Sequence, residues 1–88
     1  MDFKQHIEAL IFASSQAVAL DDIQSVLNET FQTEATQADI LAALEQTRAQ
    51  FSGEAFAFEL VEIAGGYQFM TKGAYHNTVA VYLKQTTK

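Results

Sequence analysis

Residues 58–69 read Phe58-Glu59-Leu60-Val61-Glu62-Ile63-Ala64-Gly65-Gly66-Tyr67-Gln68-Phe69. Aromatic and β-branched residues dominate on either side of a Gly-Gly pair, the composition of two strands. Both glycines can take positive φ without strain, so Gly65-Gly66 is expected to be the two-residue loop of a hairpin. The pairing then follows by counting: Ala64 faces Tyr67, Glu62 faces Phe69, Val61 faces Met70, and Glu59 faces Lys72. The last pair joins opposite charges, which favours this register.

Upstream of the hairpin the apolar period is helical. Phe3, Ile7, Leu10, Ile11 and Ser14 lie at i, i+4, i+7, i+8 and i+11, with Asp2 as a cap. Phe12 falls about 180° from Phe3 at roughly 100° per residue. Ala17-Val18-Ala19-Leu20 is too short for an independent strand but can add a sheet edge. A second helix is expected from about Asp21, with two acids in its first turn and Ile23, Val26, Leu27 and Phe31 on its apolar face. Thr30 to Ala35 reads as a polar loop. Thr36 then caps a third helix with Asp39 at its third position, and Ile40, Leu44, Thr47 and Phe51 form its stripe, widened by Leu41. Ser52-Gly53 stops it, with Gly53 expected in the left-handed conformation. After the hairpin, Tyr75, Val79, Tyr82 and Leu83 mark a closing helix from about Gly73. Three helices, a C-terminal β-hairpin wing and a closing helix make an α+β winged helix.

Composition sets the limits on function. A chain of 88 residues, 49% hydrophobic, is one globular domain with no room for two cores. Met1 leads directly into the first helical pattern, so the native start is expected to be present. No cysteine occurs, which excludes disulfides, thiolate metal sites and cysteine nucleophiles. No apolar stretch is long enough to span a bilayer, and nothing resembles a secretion signal, so a cytoplasmic location without membrane contact is expected. Residues 1–62 hold all 11 acids and two basic residues, a net −9, whereas residues 63–88 carry three lysines and no acid, a net +3.

The chemical motifs are tested in turn. His6 and His76 lie beside separate apolar stripes, and a solvated or capping role is the better reading for each. No zinc-binding helix motif, dinucleotide fingerprint or phosphate loop is present, and Gly65-Gly66 joins strands instead of opening a helix. Asp21-Asp22 point about 100° apart on a helix and read as a helix start, not a metal site. No enzyme, cofactor or metal function is expected. A winged helix often reads DNA, so a DNA-binding transcriptional regulator is the alternative. Its third helix, however, offers Arg48 against Asp39 and Glu45, the wing tip has no basic residue, and an acidic body repels phosphate. Little direct DNA binding is expected.

Protein binding has a positive argument. The hairpin places Leu60, Tyr67 and Phe69 on one face and Val61, Ile63 and Met70 on the other. The helices can cover only one, so the closing helix or another chain must cover the second. Phe12 poses the same question. Phe12, Val61, Ile63 and Met70 are the candidate interface residues.

Ile7-Glu8-Ala9-Leu10-Ile11-Phe12-Ala13-Ser14, the segment Phe58 to Phe69, and Thr71-Lys72 followed by Tyr75-His76 together resemble the N-terminal domain of bacterial segregation and condensation protein B. The likeness runs over nearly the whole chain, and the hairpin is its most specific part. It implies a non-enzymatic subunit of the bacterial condensin complex in chromosome segregation and condensation. It also implies homodimerisation, a kleisin and a structural-maintenance-of-chromosomes ATPase as partners, and association with the nucleoid through the complex. Such proteins carry two winged helices, so residues 1–88 are expected to be the N-terminal domain of a longer protein. The family usually has proline where this chain has Gln16-Ala17, and often where it has Gly73. Looser joints are expected there.

Overall fold

The computed structural model describes residues 3–86. In chain order these form α1 (Lys4–Ala13), β1 (Val18–Ala19), α2 (Leu20–Phe31), α3 (Gln37–Phe51), β2 (Phe58–Ile63), β3 (Gly66–Thr71), a 3-10 turn (Gly73–Tyr75) and α4 (His76–Thr86). The three strands make one antiparallel sheet in the order β1-β3-β2. This is the expected α+β winged helix. Asp2, expected to cap α1, lies outside the described residues.

Two helix starts have a local cause. Thr36 and Asp39 form a reciprocal capping box: the Asp39 N–H donates to Thr36 Oγ1 (3.2 Å), and the Thr36 N–H donates to Asp39 Oδ2 (3.0 Å). Hydrogen bonding to the carboxylate, from the Thr36 backbone N–H first and the Thr36 side chain second, holds the Asp39 carboxyl below its ordinary range. Asp21 and Asp22 occupy the first turn of α2, near the positive end of its dipole.

The helices meet around one core in which Ile7, Ile11, Ile23, Ile40 and Leu44 are buried with Leu60 and Tyr67 of the hairpin. Thr47 is buried among them, its hydroxyl donating to the Ala43 carbonyl one turn back (3.0 Å). Leu41 and Val26, expected on apolar faces, are exposed. Ala35, expected in a polar loop, is buried. Asn28 clamps it there, accepting the Ala35 N–H at Oδ1 (2.8 Å) and donating from Nδ2 to the Ala35 carbonyl (3.2 Å).

The hairpin register differs from the expected one. Ile63 pairs with Gly66, Glu62 with Tyr67, Leu60 with Phe69 and Glu59 with Met70. The loop is therefore Ala64-Gly65, with φ of 50° and 78°, the paired positive values of a two-residue hairpin turn. Gly66 is needed elsewhere. A Cβ there would lie 3.0 Å from the Val18 carbonyl carbon and 3.1 Å from Ala17. Its missing side chain lets β1 approach β3, so Ala64 takes the left-handed position instead. Each residue's partner moves by two along β3, which preserves the faces. Lys72 no longer faces Glu59, and its Nζ donates to the Gly53 carbonyl. Gly53 is not left-handed. Gln32, at φ 54°, closes α2 in that conformation, and Ser52 ends α3 in a right-handed one.

α4 does not close onto the body. Among the described residues its one extended contact is with the turn that leads into it, and no side chain of residues 76–85 is buried. The molecule is correspondingly long, 46 × 28 × 20 Å.

Candidate protein interface

Strand alternation sends Phe58, Leu60, Tyr67 and Phe69 toward the helices and Val61, Ile63 and Met70 away from them. On the inner face Leu60 and Tyr67 are buried. Burial first, and the facing Glu62 second, push the Tyr67 phenol above its ordinary value. On the outer face Ile63 and Met70 are 40% and 46% exposed, and Val61 is half-buried.

Phe12 is 70% exposed on the flank of α1. Its ring lies 6.2 Å from that of Phe69 and 6.3 Å from that of Phe58, so it borders the inner side of the hairpin. Phe12 is thus separated from Val61, Ile63 and Met70 by the sheet itself. The four candidates form two surfaces, not one.

Behind Phe12 a cluster of rings continues. Phe51 stands 4.6 Å from Phe56, 5.2 Å from Phe58 and 5.3 Å from Phe69. Between this cluster and α1 lies an open, almost wholly apolar groove of about 370 Å³. Ala9, Phe12, Ala13, Phe51, Phe58 and Phe69 line it, with Glu8 at its rim. The sequence contained a signal for it: Ala9 and Ala13, one turn apart beside Phe12, leave α1 too thin to close against the hairpin.

The nucleic-acid alternative finds little support in the geometry. Arg48, in the last turn of α3, lies 3.7 Å from Glu45. Ala64-Gly65 at the wing tip presents no charge. No group of three or more metal-ligating side chains occurs among the described residues, and no helix there is long and apolar enough to cross a membrane.

A winged helix with apolar grooves and an acidic body defines a class of protein-interaction module. Within that class the particular family is shown. The chain belongs to the segregation and condensation complex subunit ScpB family, whose model matches residues 5–88. Solved structures agree. The N-terminal domain of ScpB, crystallised as a dimer with a ScpA peptide, is 27% identical with a TM-score of 0.75, over 99% of this chain and 93% of that one. A conserved hypothetical protein from Chlorobium tepidum is 25% identical with a TM-score of 0.73, over 92% of this chain and 48% of that one. ScpB from Mycobacterium tuberculosis shares the fold with a TM-score of 0.81 at 17% identity, over 98% of this chain and 50% of that one. The chain therefore spans about half the length of the last two. A search of curated proteins returns no match.

Proposed function

We propose that the chain acts without catalysis, as the N-terminal domain of a condensin-complex subunit that dimerises with itself and binds the kleisin. The complex includes a structural-maintenance-of-chromosomes ATPase, and the domain works in the cytoplasm, reaching the nucleoid through that complex. The observation that carries this reading is the pair of uncovered apolar surfaces, one at the Phe12 groove and one at Val61, Ile63 and Met70. Two such surfaces suit a domain with two protein partners. The domain's similarity to a ScpB dimer holding a ScpA peptide supports the same assignment.

Sedimentation equilibrium of the wild type, Ile63→Glu and Phe12→Glu tests it, with circular dichroism confirming that each variant is folded. A dimer is expected for the wild type, and at least one variant is expected to lose dimerisation or kleisin-peptide binding. If both variants stay folded and change neither, these surfaces are not the interfaces. A parallel gel-shift titration decides between this reading and the DNA-binding regulator. Submicromolar binding that weakens steeply with salt would make direct DNA contact part of the function.

A further inference from the structure

The aromatic groove and α4 stand out because neither packs against the other. The groove is apolar and open beside α1. α4 carries Val81 at 57% exposure and makes no extended contact with α1 or the hairpin. We infer that α4 of a second copy lies across the groove, and that two chains exchange these helices reciprocally. The inference rests on the homodimer reading above and names the two surfaces that would make it.

Three features select a second copy of this chain as the occupant. The first is charge. Residues 63–88 have a net +3 and no acid, whereas residues 1–62 have a net −9; at the groove rim itself Glu8 is paired with Lys4 (2.6 Å). An acid-free helix carrying Lys84 suits the acidic body as a whole. The second is direction. The Lys72 N–H donates to the Ala57 carbonyl (2.9 Å), and the Tyr75 N–H donates to the Lys72 carbonyl (3.0 Å). Lys72 Nζ also holds the Gly53 carbonyl. The exit from β3 is pinned, so α4 projects from the body, and reaching its own groove would require breaking that turn. A second body meets it as it stands. The third is size. The groove, at 370 Å³, takes side chains and not a whole helix. The 11 residues of α4 extend about 16 Å, enough to lie over it and insert apolar side chains. A two-fold axis makes both contacts at once and closes the assembly.

The test mixes two damaged forms of the chain. Phe12→Glu damages the groove and keeps the helix, whereas Val81→Glu damages the helix and keeps the groove. Both residues are exposed, circular dichroism checks folding, and Phe12→Ser replaces Phe12→Glu if the charge unfolds the chain. By sedimentation equilibrium each variant alone is expected to associate at least about tenfold more weakly than wild type. An equimolar mixture is expected to associate more tightly than either, because one intact helix–groove contact survives in the heterodimer. Two folded variants that dimerise like wild type overturn the exchange while leaving the homodimer reading in place. Weak variants with no recovery on mixing also overturn the exchange. A monomeric wild type overturns both.

Discussion

α3 and α4 are both amphipathic in sequence, and the structure treats them oppositely. Ile40, Leu44, Thr47 and Phe51, spaced along one face of α3, are all buried. Tyr75, Val79, Tyr82 and Leu83 also repeat at helical spacing toward the C-terminus, yet only Val79 is even half-buried. Helical periodicity establishes that a helix has an apolar face, but not what covers it. For α3 the cover is the chain's own hairpin and α1. For α4 the described residues supply no extended cover beyond the turn that leads into it.

The contrast makes a sharp mutational prediction. Ile40→Ala removes fully buried methyl groups and is expected to cost about 2–5 kcal/mol of stability. Val81→Ala, made on the exposed helix, is expected to change stability by less than about 0.5 kcal/mol when measured dilute enough to keep the chain monomeric. Urea unfolding of both variants provides the comparison. A comparable loss from Val81→Ala in the monomer would mean that α4 packs on its own body, and the contrast would collapse.

A second pair of variants separates the two glycines of the hairpin. Gly66→Ala drives a methyl group into the Ala17–Val18 backbone and is expected to cost about 1–3 kcal/mol, with faster hydrogen exchange in β1 and β3. Ala64→Gly has the opposite sign. Alanine at φ 50° carries about 1–2 kcal/mol of steric strain, and glycine's greater unfolded entropy returns roughly half of it. A net gain of about 0.5 kcal/mol is expected in the same urea assay. If Ala64→Gly destabilises instead, the turn does not occupy Ala64-Gly65.

The same hairpin shows what the sequence made legible. Strand composition and the turn pair located both strands and the faces of Leu60, Tyr67 and Phe69 on one side and Val61, Ile63 and Met70 on the other. The register was lost because two adjacent glycines are indistinguishable to a local rule. Only the approach of β1, about 47 residues upstream, reserves Gly66 for packing. Gln32 was likewise unreadable: nothing local favours glutamine over Gly53 for a left-handed helix end, and the Asn28 clamp that orders the next loop is tertiary. The candidate site was half legible. Counting faces put Phe12, Ile63 and Met70 away from the helical core but left their cover open, and which residues share a surface depends on the sheet lying between them. Phe51, expected on the stripe of the third helix, and Phe58, expected only as part of a strand, also line the groove.

The smallest expected effect concerns the start of α3, the packed member of the opening pair. Asp39 is the carboxylate of the capping box, and the hydrogen bonding it accepts, from the Thr36 backbone N–H first and the Thr36 side chain second, lowers its proton affinity in the folded chain. A folded pKa below the unfolded value of 3.8 means that the fold favours the charged form. The contribution is therefore complete above that pH and is lost as the pH falls through the lower, folded value. Asp39→Asn should destabilise the chain at neutral pH, and its difference from wild type should shrink as urea titrations are taken down to about pH 2, where the carboxyl is protonated in both states. α4 has no acidic residue to give it a matching dependence. A difference that persists undiminished in acid would mean that Asp39 supports α3 through shape alone, and that the helix start does not depend on its charge.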